Sequence, residues 1–138
     1  YMQNSKILIV DDRPENILTL ESILDETHRT FINATSGMEA LLMTKIDQVD
    51  LILLDYNLDD MTGFDVAQEL RKNESTKNIP IIFVTAMSKN ERKKLNAFEI
   101  GTVDFIFKPL DMEEMQIKVA IFEKMAIMQR LLSEKAST

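Results

Sequence analysis

Five residues of this chain are of types that could share one reaction: Asp11, Asp12, Asp55, Thr85 and Lys108. Each stands at the end of an apolar run. Ile7-Leu8-Ile9-Val10 precedes the acidic pair, Leu51-Ile52-Leu53-Leu54 precedes Asp55, Ile81-Ile82-Phe83-Val84 precedes Thr85, and Phe105-Ile106-Phe107 precedes Lys108. Three carboxylates side by side raise one another's pKa values and titrate as a unit. A hard divalent cation relieves that repulsion, and Mg²⁺ favours a few carboxylates plus waters and phosphate oxygens over a full protein cage. A lysine adds a compact positive charge for a phosphate oxygen, and a threonine adds a hydroxyl donor. Together these groups describe phosphoryl transfer onto a carboxylate, with the acid as nucleophile and catalysis by positioning and charge neutralisation. Singly, each has a plainer role: Asp11 or Asp12 as a helix cap, Thr85 as an ordinary strand end, Lys108 as a solvated lysine. It is the joint placement that singles out the set.

The elements that must position them read clearly. Continuous apolar runs of four or five residues, without alternation, are the pattern of strands buried on both faces. They predict strands at 6–10, 51–54 and 80–85; Val103-Asp104-Phe105-Ile106-Phe107 reads as a fifth strand at 103–107, and a short strand at 31–34 suits a sheet edge. Between them, Arg13-Pro14-Glu15-Asn16 opens a first helix to about Glu26, with Pro14 in the first turn where its missing N–H costs nothing. Ser36 with Glu39 forms a capping box that starts a second helix, to about Ile46. Thr62-Gly63 leads into a third, from Phe64 to Lys72. Ser88 with Glu91 starts a fourth that Gly101 ends, and Asp111 caps a fifth that runs to about Leu132. Strands alternating with helices predict an α/β fold: a doubly wound five-stranded parallel sheet with helices on both faces. By analogy with flavodoxin-like sheets, the strand order is 2-1-3-4-5. That order brings Asp11, Asp12 and Asp55 to the switch-point crevice, with Thr85 and Lys108 on the neighbouring strand ends.

Composition narrows the function classes. At 138 residues the chain is one domain able to bury a core, and 45% hydrophobic with 28% charged residues is a soluble, globular balance. With no cysteine and a single histidine, His28, it has no thiolate metal site, disulfide or His-rich cluster. His28 reads as a surface residue near a helix end. A net charge of −7 argues against sequence-independent nucleic-acid binding by this domain. No apolar run reaches the roughly 18 residues needed to cross a bilayer and no signal peptide precedes the first strand, so the expected location is cytoplasmic, away from membranes.

The pattern Ile9-Val10-Asp11-Asp12, Leu53-Leu54-Asp55, Val84-Thr85-Ala86 and Phe107-Lys108-Pro109 resembles the receiver domain of bacterial two-component response regulators. The resemblance spans about residues 5 to 125. It implies a regulatory domain, not an enzyme beyond its own phosphoryl transfer and autodephosphorylation. Asp55 would accept a phosphoryl group from a sensor histidine kinase or a histidine phosphotransfer protein. Asp11, Asp12, Asp55 and the backbone carbonyl of Asn57 would hold Mg²⁺, Thr85 and Lys108 would bind the phosphoryl oxygens, and the Lys108–Pro109 peptide would be cis. Thr85 and the aromatic Phe105 would form the switch; the family often carries Tyr where Phe105 stands. Met87, two residues beyond Thr85, falls at a position that tunes phosphoryl lifetime in this family. Two rivals fit less well. A phosphatase of the haloacid-dehalogenase type places its nucleophile on the first strand, with a second Asp two residues on. A flavodoxin-like cofactor binder needs small and hydroxyl residues where Asp11-Asp12-Arg13-Pro14 stands.

Output from the resemblance would pass through the surface of the fourth helix, fifth strand and fifth helix. The start of the fourth helix is basic, with Lys89, Arg92, Lys93 and Lys94. The last helix is longer than such a domain requires. Ile121, Met125, Met128 and Leu132 recur at the 4-3-4 spacing of a coiled-coil seam. Residues 126–138 are therefore expected as an extension of that helix, a coiled-coil linker toward an output module and a contact for a parallel homodimer.

Overall fold

The computed structural model describes residues 3–88, 90–91, 101 and 103–136. Five strands, β1 (Ser5–Val10), β2 (Arg29–Ala34), β3 (Leu51–Leu54), β4 (Ile81–Thr85) and β5 (Val103–Phe107), form one parallel sheet in the order β2-β1-β3-β4-β5. This is the expected doubly wound order. Among the described residues the helices are α1 (Pro14–Leu24), α2 (Gly37–Ile46), α3 (Gly63–Lys72) and the C-terminal α4 (Met112–Ala136). The fourth helix read from sequence falls on residues 92–100 and their neighbours, so that it and the basic group Lys89, Arg92, Lys93 and Lys94 lie outside the described residues. Its predicted start is present: the Ser88 hydroxyl accepts from the Glu91 N–H at 3.2 Å, and the Glu91 carboxylate accepts from the Ser88 N–H at 3.3 Å. Gly101 has the positive φ of 86° expected of a helix stop.

Two cores lie against the two faces of the sheet. Alternation along the strands sends Leu8, Val10, Ile52, Leu54, Ile81, Phe83 and Phe105 to one face, where Ala40 of α2 and Val66, Ala67 and Leu70 of α3 cover them. The other face carries Ile7, Ile9, Leu51, Leu53, Ile82, Val84 and Ile106 under Ile17, Leu20 and Leu24 of α1 and Met115 and Val119 of α4. The central strands are buried on both faces, which is why their sequence shows no period. β2 and β5 are the edge strands, and the burial of each is partial.

Several boundaries differ from the sequence reading for local reasons. α1 ends at Leu24 rather than Glu26, because Asp25 leaves the helical backbone region. β2 begins at Arg29, two residues before the predicted start, because pairing with Ser5 and Lys6 extends it. The Ser36 cap is half of the predicted box. Ser36 Oγ accepts from the Glu39 N–H at 3.0 Å, but the Glu39 carboxylate takes the Thr35 N–H instead. A complete capping box occurs one helix later, between Thr62 and Asp65, which holds the start of α3 at Gly63. α4 continues to Ala136, beyond the predicted Leu132.

His28 is not a surface residue. Its ring lies in the turn before β2, 13% exposed, with Nε2 3.3 Å from Glu123. Glu123 projects from α4 and is 1% exposed. It accepts two hydrogen bonds from the Arg29 guanidinium, both at 2.9 Å, and a short one from the Ser5 hydroxyl. Burial alone would raise this carboxyl, but the donors from Arg29, Ser5 and His28 hold it below the usual carboxylate value. Seven residues further along α4, Arg130 donates to both oxygens of buried Asp50 at 2.9 Å and to the Asn4 carbonyl at 3.0 Å. Asp50 also accepts the Lys6 N–H at 2.8 Å. The inner face of the stretch read as an extension thus touches the body, with Ala126 and Ile127 buried. The outer face of α4 exposes Ile121, Met125, Met128 and Leu132, the predicted seam.

Candidate functional site

The site is built at the C-terminal ends of the strands, one residue past the ladders. The Asp11 N–H donates to the Ala34 carbonyl at 3.1 Å and the Asp55 N–H donates to the Val10 carbonyl at 3.0 Å, so each acid continues its strand by one residue. Asp11, Asp12 and Asp55 then converge, with one carboxylate oxygen from each lying within 4.8 Å of the others. Asp11 is 3% exposed; Asp12 and Asp55 are half-buried.

Burial raises the Asp55 carboxyl above its ordinary value; Lys108 opposes this, while the neighbouring charges of Asp11 and Asp12 add to it. The Lys108 ammonium stands 3.8 Å from Asp11 Oδ2. Thr85 is fully buried, its hydroxyl accepting from the Met87 N–H at 3.2 Å and its carbonyl from the Lys108 N–H at 2.9 Å. The Lys108–Pro109 peptide is cis. Asn57 lies exposed in the loop after β3, its N–H directed at Asp55 Oδ1 at 3.4 Å. Asp11, Asp12, Asp55, Asn57, Thr85 and Lys108 are therefore all at this pole of the sheet.

The switch aromatic, Phe105, is 2% exposed and packed between two other rings, with centroids 5.3 Å from Phe83 and 6.0 Å from Phe107. Met87 is buried in the same core cluster.

Three groups that sequence reasoning missed complete the pole. Asn16, on the first turn of α1, directs its side-chain amide at both oxygens of Asp11, at 3.3 and 3.2 Å. Asp59 shares a hydrogen bond with the Asp12 carboxyl, and that contact raises its pKa. Asp60 accepts the Gly37 and Met38 N–H groups at 2.9 and 3.0 Å; those donors, at the start of α2, lower its pKa. The acidic loop after Asp55 was the available signal for the last two. Asn16 carried none. Gly63 closes the loop, its N–H on the Tyr56 carbonyl, and a Cβ there would lie 2.6 Å from the Asp55 carbonyl oxygen.

The donor set is all hard oxygen, with an adjacent cation, and it fits Mg²⁺. This site geometry accompanies a family match: the response regulator receiver domain family matches residues 7–120. The chain belongs to that family. Receiver domains of response regulators partner with histidine kinases in phosphorelay signalling, and this one is regulatory in kind.

Relatives agree. A probable cyclic di-GMP phosphodiesterase of Vibrio cholerae is 38% identical over 113 residues, 82% of this chain and 25% of that protein. The transcriptional regulatory protein YvrH of Bacillus subtilis is 34% identical over 119 residues, 86% of this chain and 48% of that protein. Chemotaxis response regulator CheY4 of Vibrio cholerae has the same fold, with a TM-score of 0.78 and 25% identity, covering 87% of this chain and 99% of that one. The receiver thus spans a quarter to about half of the two longer relatives. No described helix is long and apolar enough to cross a membrane.

Proposed function

We propose that Asp55 of this receiver is the phosphoryl acceptor. The observation that carries the reading is the convergence of Asp11, Asp12 and Asp55 beside Lys108 at the ends of β1, β3 and β5. A carboxylate oxygen of Asp55 attacks the phosphorus of a phosphohistidine on a sensor kinase or histidine phosphotransfer protein. The new O–P bond forms as the P–N bond breaks, and the imidazole leaves with its electron pair and takes up a proton. Asp11, Asp12, Asp55 and the Asn57 carbonyl would hold Mg²⁺, which when bound supplies charge neutralisation for the phosphoryl oxygens. Lys108 binds a phosphoryl oxygen and keeps Asp55 ionised against the burial and neighbouring acids that favour its protonation. Thr85 supplies a hydroxyl to another oxygen once its Met87 contact is exchanged.

Phosphorylation replaces one negative charge by nearly two and adds acceptor oxygens. Thr85 moves toward them, Phe105 fills the space behind it, and the surface around β5 changes; the phosphate drives this only as far as it binds one state better than the other. Buried Met87 slows hydrolysis by narrowing the approach of water; an unchanged autodephosphorylation rate in Met87→Glu would sink that point. The body, residues 5–125, then signals through the 126–138 extension of the last helix, and the exposed seam of that helix, Ile121, Met125, Met128 and Leu132, suits a second copy and a path toward an output module. The domain works in the cytoplasm and binds no nucleic acid itself. The deciding experiment is intact mass after incubation with acetyl phosphate and Mg²⁺. One phosphoryl adduct is expected, dependent on Mg²⁺ and absent from Asp55→Asn. An adduct that persists in Asp55→Asn overturns the assignment.

A further inference from the structure

Asp11 is the most buried of the three acids, and a buried carboxylate needs donors to stay ionised and in place. Its Oδ1 accepts the Arg13 N–H at 2.9 Å. The Asn16 amide spans both oxygens, at 3.3 and 3.2 Å. Carboxylate torsions are broad and roughly two-fold, so a single N–H on one oxygen leaves the plane of the group free to turn. The Asn16 amide is the second point that defines that plane.

Asn16 can do this because of where α1 begins. Pro14 opens the helix, and the Asn16 N–H donates to the Arg13 carbonyl at 3.0 Å, which places the side chain in the first turn, facing the end of β1. Asn16 also lines a cleft of about 170 Å³ whose walls are Asp11 and Lys108 together with Leu20, Val84 and Leu110. Lys108 already pairs loosely with Asp11 Oδ2 at 3.8 Å, and would close to a direct hydrogen-bonded pair if the carboxylate turned toward it. That pair would occupy two groups the site needs apart: an oxygen for the metal and an ammonium for the phosphate.

We propose that Asn16 is a positioning residue of the metal site: its amide fixes the Asp11 carboxylate so that Oδ2 stays available to a divalent cation and does not collapse onto Lys108. The inference rests on the Mg²⁺ reading given above. Hydrogen-bonding partners of this kind typically change metal affinity by 10- to 100-fold when removed.

The test is an MgCl₂ titration of the unphosphorylated chain, followed by the fluorescence of Tyr56, the neighbour of Asp55, in wild type, Asn16→Leu and Asn16→Ala. Leucine matches asparagine in size and can pack on Leu20, Val84 and Leu110 of the cleft, but donates nothing. Roughly ten-fold weaker Mg²⁺ binding is expected in both variants, with melting temperatures in the absence of Mg²⁺ close to wild type. Wild-type affinity in Asn16→Leu would show that the residue only fills space and would overturn the proposal. Should Asn16→Ala fail to fold, Asn16→Leu alone decides. A wild type that takes up no Mg²⁺ overturns the metal reading itself, an outcome distinct from equal binding by wild type and variant.

Discussion

Removing Arg29 should destabilise this domain severely, and removing Arg29 together with Glu123 should not. The two side chains are 7% and 2% exposed, and two hydrogen bonds of 2.9 Å join them. Replacing Arg29 by methionine leaves a buried, ionised carboxylate with only Ser5 and His28 as donors. Breaking a buried pair from one side costs about 3–5 kcal/mol, a large part of the 5–15 kcal/mol that holds a domain together. At ~3 °C per kcal/mol for a chain of this size, that is a fall of about 10–15 °C in melting temperature. In the double variant Arg29→Met with Glu123→Leu no charge is stranded, and stability should return to within about 2 kcal/mol of wild type.

The pH dependence supplies a second check. Glu123 has a folded pKa below its unfolded value. Its contribution is therefore complete above the unfolded value and disappears as pH falls through the folded one. In Arg29→Met, burial is left to act on Glu123 without its main opponent, so protonation becomes easy and the penalty should shrink on acidification toward about pH 4. Urea unfolding of wild type, single and double variants at neutral and acidic pH measures all of this. A loss below about 1 kcal/mol for Arg29→Met, or a double variant no better than the single, would refute the reasoning.

Gly63→Ala should cost about 1–3 kcal/mol and slow phosphoryl uptake, because its Cβ meets the backbone of Asp55 and Tyr56 rather than a movable side chain; chemical denaturation and the acetyl phosphate assay would read the two effects. Asp60→Asn should loosen the start of α2 by up to about 1 kcal/mol, since the Gly37 and Met38 N–H groups lose a charged acceptor. Amide exchange at those two residues should rise. Asp55→Asn should raise stability at neutral pH. Burial has raised the Asp55 pKa, so its favourable contribution is present at low pH and is lost as pH rises through the folded value, leaving an ionised group that costs stability. A melting temperature of Asp55→Asn at or below that of wild type would count against it.

How far the sequence reached depended on the range of the interactions. The three central strands were visible because an uninterrupted apolar run has few other physical explanations, and β3 was read to the residue. The Ser88–Glu91 box was visible because a capping box is local. The Thr62–Asp65 box was equally local but passed over, its acid being Asp where Glu is usual. The first turn of α1 gave no hint of Asn16, whose partner is a carboxylate on a strand end rather than its own helix.

By itself, the sequence determined the alternation of strands and helices, the five candidate site residues at the strand ends and the apolar seam on the last helix, all features written in runs and spacings along the chain. Only the tertiary structure decided what lies beneath that helix. Glu123 meets Ser5, His28 and Arg29 across 118, 95 and 94 residues, and Arg130 meets Asp50 across 80. A glutamate and an arginine on a helix otherwise read as solvated charge. They become anchors because the crossovers of the parallel sheet lay α4 across the N-terminal ends of β1, β2 and β3, where no neighbour in sequence could have announced them.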